Sequence, residues 1–259
     1  MSKLPELRIN QKINRGYGWK RGAPNLFAPV FSSAFAGELP EKVDLQNLCP
    51  PVYDQGPLGS CTAQTVAAHA EISQAKLGKK SIISSRLFLY YNARAIEGMV
   101  DVDCGATLTD AVKAAETFGF PKESLWLYKI ENFKKKPSKK VFKDGETYKI
   151  TTFGKVRQDL NEFKKVLAAG QTIIGGYYLY DSFESETTTT TGIVTMPKST
   201  ENVAGGHAML IVGYDDATSR FKLRNSWSEK WGDKGYCYLP YEYVIDPELS
   251  SDFWTSVPV

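Results

Sequence analysis

Four residues of this chain have the types and settings that acyl transfer by a thiol requires. Cys61 closes the segment QGPLGSC and stands where TAQTVAAHAEISQAK begins a helical pattern. A thiol acts as a nucleophile only as thiolate, and a free cysteine with a pKa near about 8.5 is mostly protonated at neutral pH. The unpaired N–H groups and the dipole of a helix N-terminus favour the anion, so this position is expected to activate the sulfur. Taken alone the signal is weak, because cysteine is among the residue types most often buried as core. Of the two histidines, His207 follows two glycines at the edge of the apolar run HAMLIVGYDD, where a ring can face a cleft. His69 lies eight residues beyond Cys61, about 12 Å along a helix. That is too far for a hydrogen bond, so His69 is read as a packing or surface residue. In RNSWSEKWGDKGY, Asn225 can accept the second imidazole N–H and Trp227 can shield that bond from water. On its own, that stretch reads equally as a strand and a glycine turn packed by tryptophans.

The elements that must hold these residues divide the chain by texture. SSRLFLYYNARAIEG reads as a second helix. TLTDAVKAAETFG reads as a third, with Thr107 and Asp110 in a capping arrangement and Gly119 as its stop. DLNEFKKVLAAG is the fourth. The Lys-rich, Pro-containing residues 131–145 read as a solvated crossing, and Thr187–Thr191 as an exposed loop. QTIIGGYYLY, HAMLIVGYDD, RFKLRNSW and KGYCYLPY are strands bounded by turn formers. A helical first half and a strand-rich second half predict an α+β protein of two lobes with a cleft between them. Residues 1–40 lack a clear period. Their aromatics, Tyr17, Trp19, Phe27 and Phe31, predict an arm that docks on the body.

Composition narrows the function classes. The 32 basic residues against 29 acidic ones leave a net charge of +3, which argues against an electrostatically driven nucleic-acid binder. No apolar run approaches the roughly 18 residues needed to span a bilayer, and the N-terminus lacks the apolar core of a secretory signal. Four cysteines are few for a secreted disulfide scaffold of this length. The expectation is an intracellular chain with free thiols. Cys49, Cys61, Cys104 and Cys237 include no short C-x2–4-C pair, so neither a metal site nor a cofactor is expected.

Together, the Q-x5-C segment, the GHA strand and NSW-x4-WG-x2-GY, in that order, strongly resemble the papain-like cysteine peptidases. That family places its histidine about 130–150 residues beyond the cysteine. Here 207 − 61 = 146, while Asn225 lies 225 − 61 = 164 residues on, slightly outside that window. The resemblance runs from about Val43 to the C-terminus. PPVYDQGPLGSCTA, SRLFLYYNAR, SLWLY and the final DFW resemble the small microbial branch that includes xylellain.

The resemblance implies a papain-like two-lobed α+β fold. A mostly helical lobe would span about 41–145 and an antiparallel, β-barrel-like lobe about 146–259, with the active site in the cleft between them. Residues 1–40 would be an arm or short propeptide, acting as an intramolecular inhibitor or as a brace. Cys61 would be the nucleophile, His207 its imidazolium partner, Asn225 the orienting group, and Gln55 the oxyanion donor. Gly105 and Ala106 would bind substrate backbone. Leu108 and Ala208 would line an apolar side-chain pocket, beside Trp227. Leu108 reads equally as helix core. Thr62 stands where most members have tryptophan. Leu58 replaces a cysteine, so the usual disulfide there cannot form, and Cys104, near the usual position of its partner, has lost that partner. The expected partner is a peptide or protein substrate. Two other readings stay open on sequence alone: a silent binding module on the same fold, and ligation or deamidation by the same Cys–His chemistry.

Overall fold

The computed structural model describes residues 16–23, 28–78, 82–149 and 152–256. Within them the chain enters through β1 (Trp19–Lys20) and β2 (Lys42–Asp44), then builds a helical layer. Helix α1 (Cys61–Lys76) is buried from Cys61 to Ile72 on all sides, including Ala63, Val66, Ala67 and Ala70. Helices with no polar face belong in a protein interior, and α1 runs through the centre. Around it lie α2 (Arg86–Ile96), β3 (Ala106–Thr107) and α3 (Leu108–Phe118). The Ser85 side chain caps α2, and Thr107 caps α3 through the N–H of Asp110, as the sequence pattern requires. Gly119 ends α3 at φ 71°, a conformation that favours glycine.

The segment expected to be a solvated crossing instead contains α4 (Lys139–Gly145). Its Val141 is buried, and its Phe142 packs edge-on between Phe88 and Phe118, with centroids at 4.9 and 5.4 Å. One apolar pair among the lysines supplies the inner face, which the charge-dominated pattern concealed.

Next come β4 (Phe153–Lys155), α5 (Leu160–Ala168), β5 (Ile173–Tyr180), α6 (Glu186–Thr191), β6 (Val203–Asp215), β7 (Arg220–Arg224), β8 (Tyr236–Pro240), α7 (Tyr241–Ile245) and β9 (Ser250–Ser256). The strands form an antiparallel sheet in the order β4-β9-β5-β6-β7-β8, with β2 also paired to β6. The threonine run is therefore a short helix and not a loop. Ser185 caps it, Thr188 is buried, and the hydroxyls of Thr189 and Thr191 donate to carbonyls four residues back. Those bonds satisfy the hydroxyls that make threonine a poor helix former.

Two buried clusters result. One gathers α1, α2 and α3 with one face of the sheet, and the other fills the opposite face around Phe163, Phe221, Trp227 and Phe253. Polar anchors lock α1 to the sheet. Thr65 Oγ1 donates to Ala208 O at 3.0 Å. The fully buried His69 sits between Thr172 Oγ1 at 2.7 Å and Ser256 Oγ at 2.8 Å. Burial pushes its pKa down to about 3, so the ring is neutral.

Candidate active site

The N-terminus of α1 meets the middle of β6 through these anchors. Cys61 opens α1 and is fully buried. The Ala208 backbone, next to His207, lies close enough to its sulfur to favour the thiolate. His207 lies on β6 opposite Tyr177 of β5. Its Nε2 is 2.8 Å from Asn225 Oδ1. The same oxygen accepts the Ser226 backbone N–H at 2.7 Å, which fixes the orientation of the amide. An amide oxygen only accepts, so Nε2 carries the proton and Nδ1 is the basic nitrogen. Trp227 is 1% exposed and lies over the imidazole, with centroids at 4.7 Å. Asn225 itself follows β7 and is pinned by its N–H to Gly235 O at 2.9 Å.

Gln55 is also fully buried. Its Oε1 accepts from Ser226 Oγ at 2.6 Å, and its Nε2 donates to Leu58 O and to Gly16 O, both at 2.8 Å. The sequence-derived residues Cys61, Gln55, His207 and Asn225 thus converge from α1, the loop before it, β6 and the turn after β7.

The arm lies across this site. Gly18 O accepts the Ala106 N–H at 2.8 Å, so β1 runs parallel to β3, and Gly105 abuts Gly18. Gly18 leaves no room for a side chain: a Cβ there would fall 1.9 Å from Gly59 O. Trp19 is 4% exposed and packs on Tyr178 with centroids at 5.2 Å. A Cβ on Gly176 would lie 2.1 Å from the indole, so that glycine makes the space the ring fills. Ala106, Leu108 and Ala208 belong to the same buried cluster as Trp19. Tyr17 faces His207 and Trp227 edge-on and hydrogen-bonds Glu184. Lys20 pairs with Glu97. Further along, Phe31 packs into the sheet cluster, and its N–H donates to Lys155 O at 2.8 Å. Phe27 lies outside the described residues.

Electrostatics differ from the expectation for an open helix N-terminus. Burial pushes the Cys61 thiol up to about 11, while backbone hydrogen bonds from Ala208, Gly18, Thr62 and its own amide hold it partly back. Desolvation outweighs these backbone amides, so the buried sulfur is a thiol. Cys49, Cys61, Cys104 and Cys237 are all free. Sequence reasoning missed Ser226, which holds both Gln55 and the Asn225 amide; its position inside the NSW motif was the available signal.

Comparison with known proteins gives a consistent result. Residues 39–246 match the family described as papain family cysteine protease. The chain is 38% identical over 212 residues to a peptidase C1-like protein of Acanthamoeba polyphaga mimivirus, covering 78% of this chain and 68% of that protein. It is 27% identical over 284 residues to the cathepsin B-like CP1 of Giardia intestinalis, covering 89% and 86%. Among solved structures, xylellain, a cysteine protease from Xylella fastidiosa, superposes with a TM-score of 0.89 at 35% identity, covering 95% of this chain and 97% of that one. Digestive procathepsin L 3 from the Tenebrio molitor larval midgut superposes at 0.73 with 19% identity, covering 95% and 76%, and at that identity shares the fold alone.

Proposed function

The chain belongs to the papain family of cysteine proteases and is a cysteine peptidase; from that premise we propose which of its residues carry the reaction and what its arm does. Cys61 is the nucleophile. Its thiolate attacks the scissile carbonyl carbon, the S–C bond forms, and the carbonyl π pair moves to oxygen. Gln55 Nε2–H and the Cys61 backbone N–H receive that oxyanion. His207, as imidazolium, passes its Nδ1 proton to the leaving amine as the C–N bond breaks, leaving a thioester. Neutral His207 then takes a proton from water. The hydroxide attacks the thioester carbon, and collapse of the second adduct returns the thiolate and a carboxylic acid product. Asn225 holds the ring in one tautomer, and Trp227 keeps water from that bond. The observation that carries this reading is the meeting of Cys61, the fixed His207–Asn225 pair and Gln55 at one buried point.

Peptide and protein chains are the substrates. Gly105 and Ala106 take the substrate backbone, and Ala208 and Leu108, next to Trp19, border an apolar side-chain pocket. The arm is an intramolecular inhibitor. Support for this comes from Gly16 O on the Gln55 amide, the Gly18 backbone on the Cys61 sulfur, and Trp19 in the apolar pocket. Unpaired thiols at all four cysteines support a reducing site of action. The test is Cys61→Ala, which abolishes peptide hydrolysis while the chain stays folded; equal turnover in that variant would sink the mechanism. Product masses that add one water per cut bond mark hydrolysis, and joined fragments would mark ligation instead.

A further inference from the structure

We propose that Tyr128 is a positioning residue for the oxyanion side of the site, acting through the loop from Gln55 to Ser60. This rests on the reading of Gln55 as the oxyanion donor. Tyr128 reaches the site from outside its elements, three residues after the 3-10 turn Glu123–Leu125. Its hydroxyl donates to Gln55 O at 3.0 Å and lies 2.6 Å from Ser60 Oγ. A carbonyl only accepts, so the Tyr128 proton points to Gln55 and Ser60 must donate to Tyr128. Gln64 Nε2 donates to Ser60 Oγ at 3.2 Å in turn. The result is a directed chain from Gln64 through Ser60 and Tyr128 to Gln55, in which each bond polarises the next.

The chain ties together the two ends of the loop that carries the oxyanion donor and leads into the nucleophile. Gln55 and Ser60 are both fully buried. Ser60 occupies the N-cap position of α1, yet its side chain caps no helix N–H. Serine is favoured there for that very bond, so its hydroxyl has been committed to Tyr128. Gln55 is consequently held at both ends, its carbonyl by Tyr128 and its side-chain oxygen by Ser226. One Nε2 proton goes to Leu58 O within the loop, and the other points to Gly16 O of the arm, into the cleft. Tyr128 is itself braced: its N–H donates to Glu123 Oε1 at 2.6 Å, Arg86 pairs with Glu123 at 2.8 Å, and the Arg86 guanidinium lies 5.3 Å from the ring centroid. Tyr128 touches no reacting atom. Its contribution is the geometry of a donor.

The test uses the full chain carrying Trp19→Ala to open the cleft, with Tyr128→Phe added, which keeps the ring and removes the hydroxyl. Dipeptide turnover falls roughly tenfold in kcat, about the worth of one to two hydrogen bonds, with KM unchanged. A peptide aldehyde, whose thiol adduct bears the same oxygen as the transition state, binds weaker by the same factor. Iodoacetamide alkylation of Cys61 builds no oxyanion and changes less than about twofold. In a Gln55→Ala background, Tyr128→Phe costs nothing further. Unchanged kcat, an alkylation rate that falls in step with aldehyde binding, or losses that multiply in the double variant would each overturn the proposal. Hydrogen exchange of residues 55–60 in the full chain needs no turnover: it accelerates in Tyr128→Phe, and unchanged exchange refutes the proposal. If the Trp19→Ala parent turns over no peptide, the reading of the arm or of the peptidase site fails, and the exchange result alone decides for or against Tyr128.

Discussion

Trp19→Ala in the full-length chain should convert a latent peptidase into an active one. Among the described residues of the arm, the indole is the largest apolar group in the cleft, buried against Tyr178 and the backbone of Gly176. Truncating a buried tryptophan to alanine costs about 3–5 kcal/mol. At about 1.4 kcal/mol per tenfold, the ratio of docked to open arm drops by roughly two to three and a half powers of ten. Turnover rises by that factor until it reaches the rate of the open enzyme. The Lys20–Glu97 pair is partly solvated, with side chains 39% and 17% exposed. Such a pair is worth about 0–1 kcal/mol, so Lys20→Ala should raise turnover less than about fivefold. Gly18→Ala should act like Trp19→Ala for a different reason, because its methyl would lie 1.9 Å from Gly59 O. The assay is hydrolysis of a fluorogenic dipeptide under reducing conditions, normalised to alkylatable Cys61, with thermal melts as a folding control. Equal rates in wild type, Trp19→Ala and Gly18→Ala would refute the inhibitory role of the arm.

Further outcomes follow from the same geometry. Alkylation of Cys61 by iodoacetamide should rise at lower pH in Trp19→Ala than in wild type, because burial holds the thiol up to about 11 and opening the arm exposes it; coincident pH profiles would count against burial beneath the arm as the cause. Gln55→Ala should lower kcat about 100- to 1000-fold, and Asn225→Ala about 10- to 100-fold through loss of the bond that orients the ring, both read as kcat in the Trp19→Ala background. His69, held near 3 in the fold against its ordinary value near 6.5, gives an acid limb to stability. Between those values the unfolded chain binds the extra proton, so stability is full above about 6.5 and falls by up to about 1.4 kcal/mol per pH unit towards 3. His69→Gln should flatten that limb in melts taken against pH.

Much of this was legible because local signals agreed with the tertiary outcome. The apolar spacing after Cys61, the Thr107 cap and the β-rich runs around His207 became α1, α3 and the sheet. The candidate site residues were legible by resemblance, since no spacing rule alone brings Gln55 to Asn225. Where local chemistry and packing disagreed, the sequence misled. Poor helix formers at Thr187–Thr191 became helical once their hydroxyls bonded back to the chain. Lys-rich α4 turned on the burial of Val141 and Phe142. The pairing of β1 with β3 links residues far apart in the chain through two residues each, too short for any pattern. Tyr128 could not be read because its role exists only in contacts with Gln55 and Ser60.

Covalent capture decides whether Cys61 is the nucleophile. The full chain carrying Trp19→Ala is incubated with a peptidyl epoxide under reducing conditions, and the adduct is located by mass spectrometry as turnover is followed. The expected result is one adduct per chain, on Cys61, forming at the rate at which activity is lost. Inactivation with the adduct on Cys49, Cys104 or Cys237, or complete labelling of Cys61 with turnover intact, would contradict it.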